Sequence, residues 1–176
     1  MSPHLFCFGF GFSAQALAAR LLGRGWQVSG TSRGAAPAGE RHASGAMLYG
    51  FDGGSQDAVE EGALTAALAR AGHLLVSVPP AAGGDPVLTA FGDRLSARSD
   101  VSWVGYLSTT GVYGNHDGAW VTEESALRPG SARSRQRAAA EAAWLDIWRR
   151  AGLPVHIFRL AGIYGPGRNA LETVLR

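Results

Sequence analysis

Residues 9–14 read GFGFSA. Gly9, Gly11 and Ala14 match the spacing G-x-G-x-x-G/A, between a short apolar run (LFCFGF, 5–10) and a helical pattern (13–25). That arrangement handles phosphate. The first glycine permits a tight turn, the second lets the backbone approach a pyrophosphate, and the small third residue lets helix pack on strand. The helix start adds free N–H groups and a partial positive charge, so Phe12 and Ser13 join the candidate set. The plainer alternative is a tight turn that binds nothing.

About twenty residues on, a site for NAD places an acid at the end of the second strand, to hold the ribose 2′-hydroxyl. This chain has Thr31, Ser32 and Arg33 there, and no acid. Ser32 and Arg33 suit a 2′-phosphate, which favours NADP over NAD. Arg33 could equally be a solvated loop residue. Asp52 ends the third strand, where it either meets the adenine edge or caps the next turn.

Two further stretches carry chemistry. LSTTGVYG (107–114) ends a strand in three hydroxyls, and SARSRQRAAAE (131–141) packs three arginines into five residues before an alanine-rich helix. Arg133, Arg137, Ala140, Trp144 and Trp148 share one helical stripe, whose lower part is apolar. That stripe turns Arg133 and Arg137 toward the cleft and Arg135 toward solvent.

The elements that must position these residues alternate. Apolar runs at 5–10, 26–33, 46–52, 73–80, 101–110 and 153–160 predict strands. Helical patterns fill 13–25, 56–71, 85–98 and 131–151, and another helix is expected near Asn169. Continuous apolar strands between helices predict an α/β doubly wound parallel sheet, a Rossmann fold with helices on both faces. The 109–130 connection is long, and such loops are usually functional or mobile.

Three motifs together resemble the short-chain dehydrogenase/reductase superfamily, in its extended group of NAD-dependent epimerases and dehydratases. They are GFGFSA, LSTTGVYG and FRLAGIYGPGR (158–168). The resemblance implies a dinucleotide cofactor, NADP or NAD, and a small-molecule substrate such as a sugar nucleotide or carbonyl compound. It implies that Thr109 hydrogen-bonds a substrate oxygen, although a strand-end hydroxyl can also satisfy its own backbone. It covers essentially the whole chain, read as one domain over 1–176. The chain stops about where such enzymes go on to a smaller substrate domain, so a truncated or minimal form is expected. Pairing of crossover helices in such enzymes raises the possibility of a homodimer.

The family's acid/base is a Tyr-x-x-x-Lys pair, commonly followed four residues later by Glu. With Glu141 as register, the lysine position is Arg137 and the tyrosine position Arg133. Arginine stays charged and cannot act as a general acid. Arg137 could still anchor a ribose. Tyr113 is the best replacement acid, ahead of Tyr164 and His116, or it packs the VYG turn beneath the sheet.

Composition narrows the rest. Of 176 residues, 46% are hydrophobic and 17% charged, enough for a real core. All sixteen basic residues are arginine, which removes any Schiff-base or P-loop lysine. A formal charge of +2 gives no nucleic-acid footprint. One cysteine, Cys7, excludes a disulfide framework, and no apolar run is long enough to span a bilayer. The expectation is a cytoplasmic protein with no metal, no nucleic-acid partner and no membrane contact. The histidines 4, 42, 73 and 156 read as scattered surface or strand-edge residues, and tryptophans 103, 120, 144 and 148 as core. Two functions stay open: an NAD(P)-dependent enzyme with an altered acid, or a dinucleotide-binding regulator or redox sensor without turnover.

Overall fold

β1 (His4–Phe8) is buried along its whole length, and its side chains alternate between two separate cores. Leu5 and Cys7 join the cluster beneath α1 (Phe12–Leu22), while Phe6 and Phe8 face the cluster on the opposite side. A strand apolar on both faces can only be satisfied by layers above and below it. The computed structural model, which describes residues 2–36, 38–53, 62–169 and 174, shows how the chain supplies them.

The strands are β2 (Gln27–Ser32), β3 (Glu40–Arg41), β4 (Met47–Gly50), β5 (His73–Val76), β6 (Trp103–Thr109) and β7 (Val155–Leu160). With β1 they form one sheet in the order β3-β4-β2-β1-β5-β6-β7. Every pairing is parallel except β3 with β4. The fold is the α/β doubly wound type. The short antiparallel edge strand was not foreseen, because its two residues are charged and exposed and carry no apolar signal.

On one face Ala14 and Ala18 of α1 pack against β1, β2 and β5. On the other, α2 (Ala63–Ala69), α3 (Pro86–Ser96) and α4 (Ala132–Ala151) contribute Leu68, Phe91, Leu95, Trp144 and Ile147 to the larger core. The helix expected over 56–71 is present from Ala63, with 54–61 outside the described residues. The one expected near Asn169 lies mostly outside them as well. No helix among the described residues is long and apolar enough to cross a membrane.

Several side chains depart from expectation. Trp144 is fully buried, but Trp120 is 99% exposed and Trp148 is half-exposed. The 131–151 stripe therefore turns inward at Ala140, Glu141, Trp144 and Ile147 and leaves Trp148 outside. Trp148 lies in the last turn of α4, four residues before its C-cap Gly152. His4 is no surface residue. It is buried, with Nε2 2.9 Å from Ser29 Oγ, and burial lowers its pKa. Cys7 is buried and its thiol is pushed up to about 12 by desolvation, so it is inert.

Asp85 closes the start of α3. Its Oδ1 accepts from Val87 N at 2.9 Å and Leu88 N at 3.1 Å, and its Oδ2 accepts from Trp144 Nε1 at 3.2 Å. One carboxylate thus caps one helix and fixes the central tryptophan of another. Burial outweighs these bonds and raises its pKa. The folded protein then holds the proton to higher pH than the unfolded chain, whose aspartates titrate near about 3.9. The stabilising proton is fully present below that value and is lost as pH rises through the folded pKa. Asp85→Asn removes the titration but points a donor at the Trp144 N–H, a pH-independent loss of about 1–3 kcal/mol. In urea melts the variant should be the less stable, with the gap narrowing as pH rises from about 4. A gap that widens with pH would contradict the raised pKa.

Candidate functional site

The chain reverses direction along the sheet between β1 and β5, and open α/β sheets bind ligands at such a switch point, beyond the carboxyl ends of the strands. Here the glycine turn follows β1, and Ser77 follows β5. Gly9 takes φ +85, and a Cβ there would stand 2.8 Å from Ser77 Oγ. That oxygen cannot easily retreat, since it donates to Gly9 O at 2.8 Å and Phe8 O at 3.2 Å. Gly9 N donates to Thr31 Oγ1 at 2.9 Å. Thr31 is therefore spent on holding the turn, and Ser32 and Arg33 are left at the strand end.

Gly11 differs from Gly9. A Cβ on it would meet nothing within 4 Å, so its face is open. It is also the N-cap of α1 and offers no side chain to the first turn. By contrast, α3 is capped by Asp85 and α4 by Ser131. Unlike those of α3 and α4, the first amides of α1 have no side-chain cap, and the residues fit a pyrophosphate.

Two hollows meet at Gly11 and Ser77, which line both. The first, about 470 Å³, has apolar walls from Phe51, Val78 and Pro79, with Ser32, Arg33 and Asp52 around it. The second, about 290 Å³, is lined by Phe12, Ser13, Thr109, Arg133, Arg137 and Arg168, among others. The structure thus gathers the glycine turn, the strand-two residues and the β6 end along one trough.

The three hydroxyls at the β6 end separate. Ser108 Oγ donates to the buried Glu141 carboxylate. Thr110 lines a third hollow. Thr109 Oγ1 accepts from Gly111 N at 3.1 Å, which fixes it while leaving its own proton for the cleft. Arg137 lines the cleft, half-buried, and its Nη1 donates to Tyr106 Oη and Leu107 O, each at 3.0 Å. The Tyr106 hydroxyl is buried and pushed up to about 12, so it is no proton source.

Tyr113, expected as the replacement acid, is not in this cleft. It is buried and lines the third hollow, on the other side of the β6 end. Its hydroxyl accepts from Arg159 Nη1 at 2.9 Å, and the Arg159 guanidinium lies 4.8 Å from its ring centre. The VYG turn overlaps a 3₁₀ turn over Thr110–Val112, whose C-cap is Tyr113. Tyr164 is 83% exposed, and His116 Nε2 lies 3.2 Å from Ala126 O; neither lines the cleft.

Sequence reasoning missed three contributors. Ser77 follows a strand whose apolar pattern seemed to run on to Pro80. Arg168 ends the quoted FRLAGIYGPGR motif, and its guanidinium lies 5.4 Å from the Phe12 ring centre. Arg159 binds Glu141 through Nη2 to Oε2 at 2.8 Å, linking β7 to α4. The type of residue in the motif was the available signal in the last two cases. No group of three His, Cys, Asp or Glu side chains placed to hold a metal ion occurs among the described residues.

A parallel sheet that switches at β1/β5, with an open glycine turn at the switch, defines a Rossmann-type dinucleotide-binding architecture. A model of the NAD dependent epimerase/dehydratase family matches residues 81–175, more than half of the chain. The chain belongs to that family. Among solved structures, it is similar to a conserved protein of unknown function from Silicibacter pomeroyi, with 45% identity and a TM-score of 0.79. That match covers 96% of this chain and 56% of the other. A dTDP-glucose 4,6-dehydratase from Bacillus anthracis in complex with NAD is 17% identical at a TM-score of 0.71, over 94% of this chain and 56% of the other. A UDP-glucose 4-epimerase from Thermotoga maritima with UDP-glucose is 18% identical at 0.74, over 92% and 56%. These last two share the fold. The chain spans little more than half the length of each. A comparison with curated proteins found no match.

The two glycines should separate folding from binding. Gly9→Ala forces a side chain into a left-handed conformation against Ser77 and should cost about 1–2 kcal/mol of stability. Gly11→Val should melt within about 1 kcal/mol of wild type yet bind no dinucleotide. Thermal melts with NADPH fluorescence titrations read both. Normal binding by Gly11→Val would make the turn merely structural.

Proposed function

We propose that the protein binds a nicotinamide dinucleotide along the trough and takes NADP in preference to NAD. The observation that carries this is the meeting of the two hollows at Gly11 and Ser77, over the uncapped start of α1. Gly9, Gly11, Phe12, Ser13 and Ala14 would hold the pyrophosphate. Ser32 and Arg33 would hold the 2′-phosphate. Asp52, at the rim of the larger hollow, would meet the adenine edge. The solved neighbours in complex with NAD support the cofactor class.

When bound, the dinucleotide supplies two-electron redox chemistry. Thr109 would orient a substrate oxygen through its free O–H. Arg137 would anchor the ribose with the guanidinium N–H groups that Tyr106 and Leu107 do not use. Arg133 and Arg137 lend fixed positive charge, which polarises a substrate but gives up no proton. The reaction is of the epimerase, dehydratase or reductase type, and a sugar nucleotide or small carbonyl compound is the substrate class, as for neighbours that act on UDP-sugars. We also place the protein in the cytoplasm, in keeping with its single free thiol.

One observation favours a second reading, a dinucleotide-binding regulator. No Tyr, His, Lys, Asp or Glu lines the smaller hollow among the described residues. Turnover separates the two. A positioned general acid typically contributes about 10²–10⁴ in rate, so the wild type should be slow on a panel of sugar nucleotides and small carbonyls with NADPH. Arg133→Tyr with Arg137→Lys should raise that rate. An unchanged zero in both proteins would favour the regulator.

Cofactor choice has its own test. NADPH should bind more tightly than NADH, and Arg33→Ala should cost about 1.5–3 kcal/mol for NADPH alone, roughly tenfold or more. Equal affinities in the wild type would remove the 2′-phosphate assignment.

A further inference from the structure

We propose that Arg133, with Arg168 lining the same cavity, forms an oxyanion subsite that selects substrates carrying a carboxylate or phosphate group beside the reacting carbon. The proposal rests on the dinucleotide reading and adds the substrate's charge to it.

Three guanidinium groups line the smaller hollow, and no carboxylate does among the described residues. Their situations differ. Arg137 is tied inward to Tyr106 and Leu107. Arg168 lies against the Phe12 ring. Arg133 is exposed in the first turn of α4. Among the described residues neither Arg133 nor Arg168 belongs to an ion pair; those found join Arg98 to Asp100, Arg150 to Asp146 and Arg159 to Glu141. Glu141, the acid one turn beyond Arg137, is buried and already held by Arg159 and Ser108. Among the described residues, the positive charge of this cavity meets no carboxylate in its lining.

The glycine turn and the start of α1 would meet the dinucleotide's phosphates on one side of this hollow, and Arg133 lines it from the start of α4. A guanidinium fork pairs with a carboxylate or phosphate through two parallel hydrogen bonds. The cavity, about 290 Å³, places such an anion within a small molecule's length of Thr109. The residue that replaces the family's proton donor thus holds the substrate by its charge.

The test uses the full chain saturated with NADPH. Malonate, inorganic phosphate and the neutral malonamide are titrated while cofactor fluorescence is followed. Malonate or phosphate should bind and malonamide should not. Arg133→Gln should weaken anion binding at least tenfold without changing NADPH affinity. Arg135→Gln, an exposed charge on the same helix that does not line the cavity, should behave as wild type. Tighter malonate would point to a carboxylate substrate and tighter phosphate to a phosphate monoester. Absence of anion binding, equal losses in the two variants, or competition between anion and NADPH would overturn the subsite. Failure of NADPH itself to bind would instead sink the dinucleotide reading, and this proposal with it.

Discussion

A buried carboxylate sets the geometry of the reacting end. Glu141 sits in the middle of α4, 2% exposed, and an unpaired charge there would be costly. Arg159 reaches it from β7, and Ser108 from β6. Arg159 also holds the Tyr113 hydroxyl and the Glu123 carbonyl, so the long 113–131 connection is pinned to the same point. These bonds fix the rotation of α4 about its own axis. Arg137, four residues earlier, is directed by that rotation onto Tyr106 and the rim of the cleft, and Arg133 lies one turn further out. Without the anchor, a helix of alanines and arginines has little else in its first two turns to choose a face.

The two ends of the trough rely on different physics. At the glycine turn, the backbone is what the surface offers, and the side chains matter by being absent. Gly9 is closed against Ser77, and Gly11 is open to solvent. At the other end three arginines, which hold their protons, line the hollow beside the Thr109 hydroxyl.

The sequence was most informative where a physical requirement is local. The glycine turn and the strand–helix alternation each depend on neighbours a few residues away. The parallel sheet followed from apolar runs that only two covering layers can satisfy. Tyr113 shows where such reading stops. Its place in the chain, just after Thr109, left two readings open, the cleft or packing of the VYG turn, and the residue is buried and held by Arg159. Arg159 and Glu141 are eighteen residues apart and on different elements, and no spacing rule joins them. The edge strand β3 escaped for the opposite reason, being too short and too polar to carry a pattern. Trp120 and Trp148 were misplaced because aromatic character alone says nothing about which side of an element a residue occupies.

All the cationic charge of the cleft is guanidinium, in a chain that has no lysine. Such groups keep their proton at every pH a protein survives. Acidity therefore leaves the arginines' own field untouched. What changes that field is the surrounding electrolyte, because mobile ions screen exposed charges over about 8 Å at physiological ionic strength and about 3 Å at 1 M. Arg33 and Arg133, exposed at opposite ends of the trough, feel this screening, whereas Arg137, folded inward on Tyr106, is sheltered from it. Dissolved salt, acting on the two outer arginines, is the variable that tunes how strongly this surface draws anions in.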